Sequence, residues 1–132
     1  MREPYSTSEV PAPIGAYSQA CRIGDVVAVS GQVGLAPGAD GAAGPDVASQ
    51  TDQALANVAA ALAAADCTLD DVLRLDCYLT DTADFAAFDE AVRRWFPATP
   101  PARTTVVVGL AAGFLVEITA LAVVPRPDGR QS

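Results

Sequence analysis

The stretch "FLVEITALAVV" at residues 114–124 is apolar on both sides when read as a strand: Phe114, Val116 and Ile118 fall on one face, Leu115, Leu121 and Val123 on the other. Such a strand must be covered twice. The chain has two helical patterns to do it. Val47, Thr51, Leu55, Val58 and Leu62 repeat at helical spacing behind Asp46 as N-cap, with alanine filling much of the rest. Phe85, Phe88, Val92 and Trp95–Phe96 form a second stripe, capped by Asp81 or Thr82 and ended by Pro97. Two helices cover only one face of one sheet, so the other face calls for self-association into a closed oligomer.

The remaining strands are shorter. One precedes a Gly24–Asp25 turn, and one runs from Val26 to Ser30 with Gly31 breaking it. "TLDDVLRLDCYLTD" puts Leu73, Leu75, Cys77 and Leu79 on one face and Val72, Arg74, Asp76 and Tyr78 on the other. "RTTVVVG" and the doubly apolar strand follow, joined by "LAAG", while "APGADGAAGPD" reads as irregular. The order strand, strand, helix, strand, helix, strand, strand predicts an α+β fold in one domain spanning 1–132, with loose tails up to about residue 10 and over 125–132.

Composition narrows the chemistry. The 132 residues include no histidine, and all eight basic residues are arginine. That removes Ser-His and Cys-His nucleophile pairs, His-ligated metals, Schiff-base lysines and the P-loop. Catalysis would fall to carboxylates, tyrosine, hydroxyls, thiols, arginine and backbone N–H groups. The formal charge of −8 and the scattered arginines argue against nucleic acid as a partner. Arg93–Arg94, the one basic pair, falls where it would face solvent at a helix end. Cys21, Cys67 and Cys77 lack CxxC spacing and read as small buried hydrophobes. No apolar run approaches the roughly 20 residues that span a bilayer. The start "MREPYSTSEVPAPIG" has proline and acid where a secretion signal needs a basic start and an apolar core, so a cytoplasmic location is expected.

Two charges interrupt the apolar C-terminal region: Arg103 and Glu117. If the last two strands form a hairpin around residue 111, Thr105 faces Glu117 and Arg103 lies two residues along on the same face. The two charges would then meet, either as a buried ion pair that fixes register or as a site.

Six blocks, "APIGAYSQA" (12–20), "VSGQVGL" (29–35), "ASQTDQALANVAAAL" (48–62), "YLTDTADFAAFDEAV" (78–92), "PPARTTV" (100–106) and "VEITALA" (116–122), resemble in order and spacing the signature blocks of the RidA (YjgF) family. The resemblance covers nearly the whole chain. It implies a chorismate-mutase-like subunit, one mixed sheet with two helices on one face, in a homotrimer with an inner barrel and three clefts between subunits. In that fold the last two strands are not sheet neighbours, against the hairpin. It further implies hydrolysis of reactive enamines and imines such as 2-aminoacrylate to 2-keto acids and ammonia, without a cofactor or metal, on a small carboxylate substrate and without nucleic acid or membrane as partner. Residue by residue, Arg103 matches the carboxylate-binding arginine and Glu117 the acid that positions or activates water. Tyr17, Ser30 and Gly31 match cleft-lining residues. Thr105 stands where many members have cysteine, and Asp89 where many have asparagine. The alternatives are a family member acting on a larger imine or enamine, which Asp89 and Phe88 would favour, and a non-catalytic trimer that binds small carboxylates. The ribonuclease activity described for some relatives fits the −8 charge poorly.

Overall fold

The computed structural model describes residues 1–126; of the loose tail expected over 125–132, residues 127–132 lie outside the described residues. The chain forms strands β1 (Glu3–Tyr5), β2 (Ala20–Ile23), β3 (Val26–Val33), β4 (Val72–Leu79), β5 (Ala102–Val107) and β6 (Val116–Val123), with helix α1 (Val47–Ala64) before β4 and α2 (Phe85–Trp95) before β5. The six strands make one mixed sheet in the order β1-β2-β3-β6-β4-β5. No described helix is long and apolar enough to cross a membrane.

Both helices start where the sequence predicts. Asp46 caps α1, its Oδ1 accepting from the Ser49 N–H at 2.7 Å. Asp81 accepts from the Ala83 N–H at 2.9 Å and opens a short 3₁₀ turn from which α2 departs at Phe85. Leu55, Val58 and Leu62 of α1 and Phe88 and Val92 of α2 are buried against Val27, Val29, Leu75, Cys77, Leu79, Val116 and Ile118 of the sheet. Phe85 belongs to the predicted stripe but stays exposed.

The predicted hairpin does not form. β4, α2 and β5 make a crossover unit that lays β5 parallel to β4 on the outer edge, and β6 returns antiparallel between β4 and β3. The eight residues between β5 and β6, with their 3₁₀ turn at Ala111–Gly113, exceed the two to five that a tight hairpin uses. Burial explains the choice, because the strand that is apolar on both sides gains most from a central position.

Three further expectations are corrected. Gly31 does not end its strand: Val29 pairs with Ala120 and Gln32 with Ile118, so one extra residue bulges at Ser30–Gly31 and the strand continues to Val33. A second bulge, between Val72 and Arg74, turns Leu73 to solvent and Val72 into the core, reversing the predicted assignment of these two. Nor is the N-terminus loose through residue 10. Glu3–Tyr5 adds an edge strand to β2, Val10 is buried, and the buried Gln19 amide accepts from the Thr7 N–H at 2.7 Å while donating to the carbonyls of Thr7, Val10 and Pro11.

Residues paired across neighbouring strands share a face, so the sheet's two sides can be read from its registers. Val27, Val29, Leu75, Cys77, Ile118 and Ala120 face the helices. Ile23, Val26, Asp76, Tyr78, Glu117, Thr119, Leu121 and Val123 form the opposite face, which no element among the described residues covers.

Candidate functional site

The sequence-predicted residues divide into two groups. Arg103 and Thr105 lie on β5, opposite Leu75 and Cys77, and therefore face the helices. Glu117 on β6 pairs with Val33 and Tyr78 and faces the uncovered side. Three residues along β4 separate the two registers, and β4 lies between the strands. Strand geometry then puts the Arg103 and Glu117 Cα atoms roughly 14 Å apart, with their side chains on opposite faces. Within one chain the two charges do not meet.

The first group centres on the Arg103 guanidinium. It lies over the rings of Phe85 and Phe88, 5.5 and 5.4 Å from their centroids, and its Nη1 donates to Asp89 Oδ1 at 2.7 Å. Asp89 Oδ2 accepts from Arg93 Nη2 at 2.8 Å. The Arg103 side chain is 25% exposed, and its backbone runs along the open edge of the sheet. Hydrogen bonding to Arg103, with the Arg93 bond adding to it against some desolvation, holds the Asp89 carboxyl below its ordinary pKa. Two aromatic faces and one carboxylate thus fix the arginine, while Asp89 occupies only Nη1. The Nε and Nη2 edge has no protein partner among the described residues. That edge is the two-pronged donor that a carboxylate matches.

Thr105 Oγ1 is buried with no hydrogen-bond partner. Beside it in register, burial pushes the Cys77 thiol up to about 12, against a small opposing pull from Arg103. A cleft of about 480 Å³ opens on the other side of Arg103, walled by Val92, Phe96, Pro97, Pro100 and Pro101 with Leu75 and Asp89 also lining it.

The second group forms around the β3 bulge. A Cβ added to Gly31 would lie 2.9 Å from Glu117 Cδ, so the bare backbone there is what lets the carboxylate lie across it. Ser30 Oγ donates to the Ser18 carbonyl at 2.5 Å, and the Ser30 N–H donates to Gln19 O at 3.0 Å. These two bonds tie the bulge to the segment carrying Tyr17, whose exposed ring accepts from the Ile14 N–H at 3.4 Å through its hydroxyl. Glu117 forms no ion pair among the described residues.

Arg93 faces solvent in the last turn of α2, as the sequence predicts, but its bond to Asp89 is a pairing that sequence reasoning missed, although the Asp89–Arg93 spacing of four on a helix is a readable signal. Phe85 was assigned to the core, yet it lies exposed under a guanidinium.

A family model described as endoribonuclease L-PSP matches residues 7–124. A RutC family protein of Saccharolobus solfataricus is 41% identical over 123 residues, covering 92% of this chain and 98% of its own. The rat 2-iminobutanoate/2-iminopropanoate deaminase is 38% identical over 124 residues, covering 93% of this chain and 90% of its own. Among solved structures, the YjgF gene product of Escherichia coli is similar with a TM-score of 0.87 at 34% identity, covering 92% of this chain and 98% of that one. Escherichia coli TdcF with bound serine is similar with a TM-score of 0.87 at 33% identity and the same coverage.

Proposed function

The chain belongs to the RidA/YjgF family, and from that premise we propose that it hydrolyses small 2-imino and 2-enamino acids to 2-keto acids and ammonia in clefts shared between the subunits of a homotrimer. The observation that carries this reading is the division of the site residues between two faces of one sheet. Arg103 lies at the rim of the edge strand and Glu117 on a face left open, so a second copy packed on that face can bring one chain's carboxylate to another chain's arginine. The apolar residues Ile23, Val26, Leu121 and Val123 on that face supply the driving force for association. A relative named as an imine deaminase and a similar structure holding serine support a small amino-acid-like substrate.

Each step uses side chains described above. The free Nε and Nη2 edge of Arg103 takes the substrate carboxylate by two parallel hydrogen bonds and so orients the adjacent C=N carbon. Glu117 from a neighbouring subunit accepts a proton from water as the water oxygen bonds to that carbon. Formed from the iminium tautomer, the resulting carbinolamine takes that proton back from Glu117 on its nitrogen, its C–N bond breaks to release ammonia, and the hydroxyl gives its own proton to the freed Glu117 carboxylate as it becomes the keto oxygen. An iminium carbon is already electrophilic, so positioning and one base suffice.

The cleft beside Arg103 favours a second reading, an imine bearing a larger apolar side chain that the proline-rich wall would receive.

The test is hydrolysis of 2-aminoacrylate generated in situ, with mass by light scattering and the melting temperature followed on the same samples. Arg103→Ala is expected to remain a folded trimer without activity, Arg103→Lys to be severely impaired, and Glu117→Gln to bind 2-oxobutanoate while turning over poorly. A monomeric wild type, or a destabilised Arg103→Ala protein whose folded fraction keeps normal activity, overturns the reading. A wild type that binds carboxylates but hydrolyses neither small nor bulky imines establishes a binding trimer instead.

A further inference from the structure

Asp89 sets up a conflict at the site. A carboxylate 2.7 Å from Arg103 Nη1 orients the guanidinium but also cancels the charge that would draw in a substrate carboxylate. Arg93 resolves it. One helical turn along α2, it takes the other Asp89 oxygen at 2.8 Å, so the three side chains together carry one net positive charge rather than none. Both Asp89 oxygens are engaged, and the Nε and Nη2 edge of Arg103 stays open. Arg93 itself is held by nothing else among the described residues: its side chain is 75% exposed, and Asp89 is its one ion-pair partner. By contrast the adjacent Arg94 turns to Asp52 and Glu90, away from Arg103.

We propose that Arg93 is a positioning residue which, by holding Asp89, keeps Arg103 both fixed in orientation and available as a cation to an incoming carboxylate. Arg93 also lines the cleft beside Arg103, but its one bonded partner among the described residues is Asp89, through which its effect passes. The inference rests on the reading of Arg103 as carboxylate anchor and adds a determinant specific to a chain with an acid at position 89.

The experiment is a double-mutant cycle on full-length protein, with Arg93→Ala, Arg93→Lys, Asp89→Asn and the double variant Arg93→Ala/Asp89→Asn. Two readouts are taken: steady-state imine hydrolysis, and the Kd of 2-oxobutanoate by calorimetry. Arg93→Ala is expected to raise KM and Kd about tenfold at low salt with kcat changed by less than about twofold, and the effect shrinks as salt rises. Arg93→Lys should restore most of the loss, since it keeps the charge. In the Asp89→Asn background Arg93→Ala should change neither KM nor Kd, because the group through which it acts is gone. An equal loss in both backgrounds overturns the proposal by making Arg93 a direct ligand contact, and so does no loss in the wild-type background. Should Arg93→Ala fail to fold, Arg93→Gln replaces it in the cycle. If the wild type binds 2-oxobutanoate but hydrolyses no imine, the deaminase reading falls while the Kd cycle still decides the role of Arg93. If it binds no carboxylate, both fall.

Discussion

Asp89 Oδ1 lies 2.7 Å from Arg103 Nη1, while Glu117, the acid that the sequence paired with Arg103, lies on the opposite face of the sheet. This contact has a pH signature. The Asp89 carboxyl is held below its ordinary value of 3.8, first by the hydrogen bond from Arg103 and then by that from Arg93. A depressed carboxyl pKa stabilises the fold at pH values above the unfolded-state pKa, and that contribution is lost as pH falls through the folded-state value. The melting-temperature difference between wild type and Asp89→Asn should therefore stay constant from pH 7 to about 5 and shrink only below 3.8. A difference that changes between pH 7 and 5 would mean that another group titrates in its place.

Mixing separates a shared cleft from one built within a chain. Arg103→Ala, inactive alone, and Glu117→Gln, poorly active alone, should regain part of the wild-type activity when co-refolded. In the proposed trimer, mixed subunits would join the intact Arg103 of one chain to the intact Glu117 of another. Activity that stays at the single-variant level in trimers shown by mass to be mixed would rule out shared clefts.

Two glycines of β3 and its exit forecast opposite outcomes. A Cβ at Gly34 would lie 2.6 Å from the Gln50 Cα and 2.8 Å from its carbonyl oxygen, so Gly34→Ala must push α1 off the sheet and should cost about 1–3 kcal/mol in chemical denaturation. At Gly31 the three atoms nearest the added Cβ all belong to the Glu117 side chain, which can swing away. Gly31→Ala should melt within a few degrees of wild type and lose most of its hydrolytic activity.

The buried thiols should be silent. Desolvation raises Cys67 to about 11 and Cys77 to about 12, so at pH 8 neither offers a thiolate. Alkylation followed by mass spectrometry should leave both unmodified in native protein and modify both in denaturant. The sign is that of a raised pKa: the stabilisation from keeping these thiols neutral is intact below their ordinary value of 9 and is lost as pH climbs through the raised values.

Local features were legible wherever chemistry and pattern agree over a few residues. Asp46, Asp81 and Pro97 mark helix ends whatever surrounds them, and the apolar periods of α1 and β6 place those elements. What escaped depended on partners remote in sequence. The bulges at Ser30–Gly31 and Leu73 arise from pairing with β6, about 90 and 50 residues away; Gly31 marks an irregularity without showing that the strand continues past it, and nothing in β4 announces the other. β1 exists because Gln19 pins residues 7–11 and brings Glu3–Tyr5 alongside β2. The hairpin reading of Arg103 and Glu117 assumed that neighbours in sequence are neighbours in the sheet, a tendency that the burial demand of β6 overrode. Resemblance to the family corrected that topology where periodicity could not.

The central position of β6 also dictates an order of assembly. Until residues 116–123 are available, β1-β2-β3 and β4-β5 are two separate half-sheets, each presenting the bare hydrogen-bonding edge that β6 will later fill. A chain emerging from the ribosome cannot zip its sheet progressively from the N-terminus. It must hold both edges open and close them in one late, long-range step. Slow, cooperative folding and a vulnerability to edge-to-edge aggregation in C-terminally truncated chains follow from where this one strand sits.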